Sequence, residues 1–186
     1  MRRIERVFLS GPDLFMPDGP ELLAAKRELC AASGLEGVHA DPAAGEGQPA
    51  ELRARIVYAD VISRLRGCEA LIANLTPWRG PHPDPGTVFE AGFAGGLGLP
   101  VFAYLNVGDP DDADHRDRVA ASMGAVLDTQ GDWRDPDGGL VEDLGLPESL
   151  MLWAEARAFH VVATPDPLGD VTGVALCLEA MRAYAD

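Results

Sequence analysis

Ala70-Leu71-Ile72-Ala73 runs out through Asn74-Leu75-Thr76-Pro77-Trp78-Arg79-Gly80 and on to Asp84-Pro85-Gly86-Thr87-Val88-Phe89-Glu90-Ala91-Gly92, and the fold turns on this stretch. Its apolar head has no polar alternation, which is how a strand covered on both faces reads. The polar and aromatic loop behind it breaks the run. Thr87 to Leu97 then reads as a helix with Gly98 as its stop, and Pro100-Val101-Phe102-Ala103-Tyr104 follows as a second buried strand. Strand, helix and strand without a hairpin signal make a βαβ unit, hence parallel strands joined by a right-handed crossover.

The same alternation extends in both directions. Val7-Phe8-Leu9, entered from Ile4, is a short strand broken by Ser10-Gly11-Pro12-Asp13. Glu21 to Ser33 reads as a helix ended by Gly34, and Leu35 to Ala40 as a strand interrupted by Gly37. Asp41 to Pro49 is a loop. In Glu51 to Leu65 the apolar positions Leu52, Ile56, Ala59, Ile62 and Leu65 recur every three or four residues, the clearest helical pattern in the sequence. Toward the carboxyl end, Pro147 to Phe159 reads as helix, His160 to Ala163 as the last strand and Thr172 to Tyr184 as an amphipathic helix. The expected architecture is a single α/β domain over residues 1–186, with a mostly parallel five-stranded sheet between two helical layers.

Composition narrows the function. The chain has 186 residues and is 47% hydrophobic, enough for a core without staples. Thirty acidic against fifteen basic side chains give a net charge of -15, which repels nucleic acid and anionic membranes. The charged start Met1-Arg2-Arg3-Ile4-Glu5-Arg6 lacks the apolar core of a signal peptide, and no run is long enough to span a bilayer. Cys30, Cys68 and Cys177 form no pair motif and read as small apolar side chains of a reducing, cytoplasmic protein. Asp109 to Asp117 holds five aspartates with His115 and Arg116 and reads as a solvated segment.

Several familiar sites are missing. Neither GxGxxG nor GxxxxGK[ST] occurs, so no dinucleotide or triphosphate cradle is expected, and no cofactor. His39, His82, His115 and His160 make no HxxxH motif, and no cysteine lies at a ligand-like spacing from them, so no metal is expected. Ser10, Ser33, Ser63, Ser122 and Ser149 lack the surroundings of a nucleophile elbow.

What remains is a group of carboxylates beyond the end of a buried strand, where parallel α/β proteins bind ligands. Glu69, Asn74, Trp78, Arg79, Asp84 and Glu90 lie within a short span of sequence. Two capping accounts compete with chemistry here. Thr87 can cap the helix with Glu90 bonding back, or Asp84 can be the N-cap with Pro85 in the first helical position. A helix amino terminus also favours an ionised Glu90, as a carboxylate nucleophile requires.

The opening Val7-Phe8-Leu9-Ser10-Gly11-Pro12-Asp13-Leu14-Phe15, the central Cys68 to Gly80, Asp84 to Gly92, and Val141 to Met151 together resemble the nucleoside 2-deoxyribosyltransferase family, itself similar to the deoxynucleoside monophosphate N-glycosidases. The resemblance implies a Rossmann-like or flavodoxin-like three-layer sandwich. It also implies Glu90 as the nucleophile at the anomeric carbon, Asp84 in the acid/base group at the nucleobase, and Glu69 where members carry an aspartate assisting leaving-group protonation. Phe8, Gly11, Asp13, Phe15, Asn74, Trp78, Arg79, Gly86 and Thr87 fall in the matched substrate-binding blocks. Phe8 stands where some members have tyrosine. Ser149 stands where asparagine is usual, and that asparagine with Met151 reaches into the neighbouring subunit's site to hold the sugar 5′ end. A homodimer or higher homo-oligomer with shared sites is therefore implied.

The implied substrates are a nucleoside or nucleotide and a nucleobase. The implied reaction is double displacement through a glycosyl ester on Glu90, with a second base or water completing it. Trp78 and Phe15 are candidates for stacking on a base and equally for core. Two further accounts stand beside transfer: hydrolysis of a nucleoside or 5′-monophosphate, and a noncatalytic nucleotide or nucleobase sensor.

Overall fold

The computed structural model describes residues 3–185; Met1, Arg2 and Asp186, and with them the first two residues of the charged amino-terminal stretch, lie outside the described residues. Five strands form one sheet: β1 (Arg6–Ser10), β2 (Glu36–Val38), β3 (Ala70–Asn74), β4 (Val101–Val107) and β7 (Ala156–Ala163). Their order is β2-β1-β3-β4-β7, and every pairing is parallel. β5 (Val126–Leu127) and β6 (Trp133–Arg134) form a small antiparallel ribbon outside it.

Alternation along each strand sends side chains to two separate cores. Phe8, Leu71, Ala73, Val101 and Ala103 face α2 (Ala50–Arg66), α3 (Pro85–Gly96) and α5 (Leu150–Glu155). Val7, Leu9, Ile72, Phe102 and Tyr104 face α1 (Gly19–Ala32) and α6 (Thr172–Ala185). α4 (His115–Met123) lies in the excursion between β4 and the ribbon. The result is an α/β three-layer, Rossmann-like arrangement, with its topological switch between β1 and β3.

One boundary differs from the sequence expectation. The helix expected over Pro147 to Phe159 is confined to Leu150–Glu155, and Ala156–Phe159 is extended as the first half of β7. An apolar run of this length suits either element. The parallel ladder that β7 makes along the whole of β4, with one register shift between Val101 and Phe102, decides for strand.

Gly173 shows how closely α6 sits on the sheet. A β-carbon there would overlap Cδ2 of Tyr104, itself 1% exposed. Gly173→Ala gains the usual helix preference for alanine, under about 1 kcal/mol. It also forces the ring or the helix to move, at about 1–3 kcal/mol. The clash wins, and a thermal melt of the variant is expected to show Tm lowered by several degrees.

Candidate active site

The site assembles at the carboxyl ends of β1 and β3. Ser10 is the last residue of β1 and, by alternation, shares the face of Phe8 that looks toward α3. Its hydroxyl donates a short hydrogen bond to Oε2 of Glu90, which lies in the second turn of α3. No group among the described residues donates to the other oxygen, Oε1. Ser10 was not singled out as a site residue from sequence, and the only signal for it was its position two residues beyond Phe8 on one face of the strand.

Asp84 caps α3, with Pro85 in the first turn: the Thr87 amide donates to its Oδ2 over 2.9 Å, and the Thr87 hydroxyl over 3.3 Å. The second of the two capping accounts is thus the observed one, and no Thr87–Glu90 box forms, because Glu90 is engaged by Ser10. The cap uses one oxygen of Asp84. Gly86 lies between, exposed in the first turn of α3.

Glu90 is not simply ionised, as the helix terminus alone suggests. Burial raises its pKa to about 7, the Ser10 hydrogen bond pulls it down, and the nearby Asp84 charge pushes it up. Burial outweighs the helix dipole because Glu90 stands a full turn inside the helix, where the terminal field has faded. Near neutral pH both protonation states are populated.

Gly11 and Asn74 close the floor. A β-carbon on Gly11 would lie 2.9 Å from Cβ of Asn74 and 2.8 Å from Oδ2 of Asp13, so only glycine lets the two strand ends approach. Asn74 is 2% exposed, and its Oδ1 accepts from the Thr76 amide. Asp13 is equally hidden: its Oδ1 takes a 2.5 Å bond from Lys26, and both side chains are buried. The structure therefore turns Asp13 inward as an anchor of the Gly11 turn, where it also lines the small hollow beside Glu90. Lys26 gave no sequence signal, being a lysine within an otherwise ordinary amphipathic helix.

Phe15 and Trp78 stack with ring centroids 6.4 Å apart and planes at 22°. The Arg79 guanidinium lies 4.8 Å over the Trp78 ring. Arg79 itself holds a left-handed backbone, φ 56°. Phe15 is 60% exposed, so this stack is a surface feature of the two loops leaving β1 and β3, not core.

Glu69 is not brought to this group. It precedes β3, and its Oε2 accepts from the Glu5 and Arg6 amides at the start of β1. Asn74 ends that strand, and five residues of strand span about 16 Å. Glu69 therefore sits at the opposite edge of the sheet from Glu90, which corrects the expectation of a catalytic role. Ser149 precedes α5, and Met151 projects outward, 79% exposed.

A hollow of about 30 Å³ adjoins Glu90, walled by Phe8, Leu9, Gly11, Asp13, Leu14, Leu23, His39 and Ala40. That is about the space of one water. A 240 Å³ cleft shares Leu14, Leu23 and His39 with it, so these three residues separate Glu90 from open room. His39 is a further site residue that sequence did not indicate. A wider groove of about 560 Å³, reached by Thr76, Asn106 and Arg118, does not touch Glu90. Chemistry, not size, marks the site.

A doubly wound parallel sheet with Glu90 and Asp84 near its switch point is the arrangement over whose strand ends α/β proteins bind small ligands. The profile of the nucleoside 2-deoxyribosyltransferase family matches residues 7–151, most of the chain, and the protein belongs to that family. Its activity at the family level is that of a nucleoside 2-deoxyribosyltransferase. A 2-deoxyribosyltransferase from Leishmania mexicana is 26% identical and superimposes with a TM-score of 0.59, covering 83% of this chain and 89% of that one. A 2-deoxyribosyltransferase from Bacillus psychrosaccharolyticus, 13% identical, shares the fold with a TM-score of 0.50 over 91% of this chain and 95% of its own. An uncharacterized protein of Schizosaccharomyces pombe is 26% identical over 161 residues, 80% of this chain and 75% of that protein.

Among the described residues no helix is long and apolar enough to cross a membrane. Cys30, Cys68 and Cys177 are free and buried.

Proposed function

We propose that the protein moves a 2-deoxyribosyl group between nucleobases by double displacement on Glu90. The observation that carries this reading is the Glu90 carboxylate itself, held through Oε2 by Ser10 at the switch point, beside Asp84. In the first step the free carboxylate oxygen bonds to the anomeric carbon, and the bond from that carbon to the nucleobase nitrogen breaks. The departing base keeps the electron pair and takes a proton from Asp84 or from a water that Asp84 holds. In the second, a nitrogen of another base attacks the same carbon, its proton passes back to Asp84 or to the water that Asp84 holds, and Glu90 leaves as carboxylate. Two inversions retain configuration. Phe15, Trp78 and Arg79 offer the base a flat face, and Asn74, Gly86 and Thr87 hold the strand end and the helix start in place behind it.

Ser149 and Met151 fit this reading as a contribution to a second subunit's site. Leu150, Met151, Trp153, Phe89 and Tyr58 all expose apolar surface on α2, α3 and α5, a face suited to a homodimer. Hydrolysis has one observation in its favour: the hollow at Glu90 has room for a single water, the acceptor that would complete the second step without a base. Incubation with thymidine or deoxyadenosine, with and without a second base, followed by chromatography, separates the accounts. A new deoxynucleoside that appears only with the second base is expected. Free deoxyribose would mean hydrolysis, and no turnover of either kind would mean that the site only binds.

A further inference from the structure

Three side chains that sequence spacing kept apart meet beside the loop that carries Asp84. His82 lies in the connection from β3 to α3, His115 opens α4, and Glu148 precedes Ser149. One potential ligand atom from each lies within 4.8 Å of the others. We propose that His82, His115 and Glu148 bind one divalent transition-metal ion of the zinc class, with the remaining position open to water. Spacing along the chain gives no zinc motif because the three ligands come from separate segments that only the fold brings together.

The geometry at His115 points to a ligand. The residue is 7% exposed, and its Nδ1 has no hydrogen-bond partner. That nitrogen is 3.2 Å from Oε1 of Glu148, close enough for a hydrogen bond but not aligned for one. Two ligands of a tetrahedral zinc ion, each about 2.0–2.1 Å from the metal, lie about 3.3 Å apart. An ion between them would replace this misaligned contact with two direct bonds, one to the nitrogen and one to the carboxylate oxygen.

Glu148 is 1% exposed and is fixed in the manner of a ligating carboxylate. The Arg118 guanidinium donates to Oε2 over 3.0 Å, leaving Oε1 toward the histidine; the Ser149 amide donates to Oε1 over 2.8 Å. Arg118 is itself immobilised by the Pro147 and Asp112 carbonyls. Such outer partners orient ligands and support metal affinity. His82 is exposed, and its ring centroid lies 5.6 Å from that of His115. As the exposed member of the set, it would complete the coordination from the solvent side. Asp112 and Asp114, which the transfer chemistry does not use, lie close enough to Arg118 to offset part of its positive charge beside the site.

Occupation would tie two parts of the candidate active site together. His82 accepts the Trp78 amide through its own carbonyl and stands two residues before Asp84, while Glu148 directly precedes Ser149. The ion would clamp the base-facing loop to the segment bearing Ser149 and Met151. Imidazole and carboxylate donors suit zinc, cobalt and nickel rather than magnesium or calcium.

The test uses the whole chain, stripped with a chelator and titrated with cobalt(II) and zinc(II). One equivalent of cobalt is expected, with the intense visible absorption of a tetrahedral site, displaced by zinc. His82→Ala removes an exposed ligand without disturbing the core and is expected to weaken binding at least tenfold. No stoichiometric binding by the wild-type chain, or equal binding by His82→Ala, would overturn the site. Neither outcome depends on transferase activity, so failure here and failure of the transfer mechanism are separately visible.

Discussion

Glu90→Gln is expected to abolish base exchange, by roughly 10⁴-fold or more, about 5.5 kcal/mol of transition-state stabilisation, while leaving the protein more stable above neutral pH. The first half follows from nucleophilicity: a glutamine amide has the shape of the carboxylate and still accepts from Ser10, but it cannot form the glycosyl ester. The second half follows from burial. The Glu90 pKa is raised to about 7 from an ordinary value of 4.5. The folded state therefore holds that proton more tightly than the unfolded chain does. The associated stability is fully present below about pH 4.5 and is lost as pH rises through about 7, and the cost of the charged form above that is about 3 kcal/mol. Glutamine cannot lose a proton, so the variant escapes this loss. Melting curves between pH 5 and 8.5 should show the wild-type Tm falling relative to the variant across that window. In the wild type, exchange under limiting substrate should fall about tenfold per pH unit below 7 and level off above it, because only the ionised form attacks. A variant that keeps its turnover, or one whose Tm tracks the wild type at every pH, contradicts the assignment of Glu90 as a buried nucleophile.

The contrast between Glu90 and Glu69 shows how far sequence reading reaches. Both flank β3, and from spacing alone both belong to one polar group. In a parallel sheet the residue before a strand and the residue after it lie at opposite edges, so closeness in sequence misleads wherever a strand intervenes. The carboxylate that enters with α3 is different, because the loop and the helix turn back over the same strand end. The βαβ rhythm and the final helix were legible for a related reason: their hydrophobic periods are local. The start of β7 was not, since only its ladder with β4 distinguishes strand from helix there. Ser10 and Lys26 are hard to read from sequence because each acts through a partner on another element, and His39 because it only lines a hollow that the fold creates. The cap of α3 lay between these extremes, with Thr87 and Asp84 both fitting the pattern until the bond from Thr87 to Asp84 selected one.

Lys26→Met should be the most destabilising single change near the site, by about 3–5 kcal/mol, because it leaves the Asp13 carboxylate buried without its counter-charge. Both side chains of the pair are nearly inaccessible, and burial already holds the Lys26 pKa below its ordinary value against the opposing pull of Asp13. The ion pair thus opposes a desolvation penalty that neither partner meets alone. Replacing both residues tests what the pair is for. Lys26→Met with Asp13→Leu removes both charges at similar volume and should recover most of the lost stability, as buried pairs exchanged for apolar side chains often do. Urea denaturation reads this as a large drop in midpoint for the single variant and a near-normal midpoint, at unchanged slope, for the double. Asp13 Oδ2 also abuts Gly11, which in turn abuts Asn74 at the end of β3. If the pair sets the Gly11 turn and through it the floor beneath Glu90, the double variant will fold well yet exchange bases more slowly, with kcat reduced more than KM is raised. If its turnover matches the wild type, the pair serves only the fold, and the shape of the Gly11 turn is fixed by the strand ends alone.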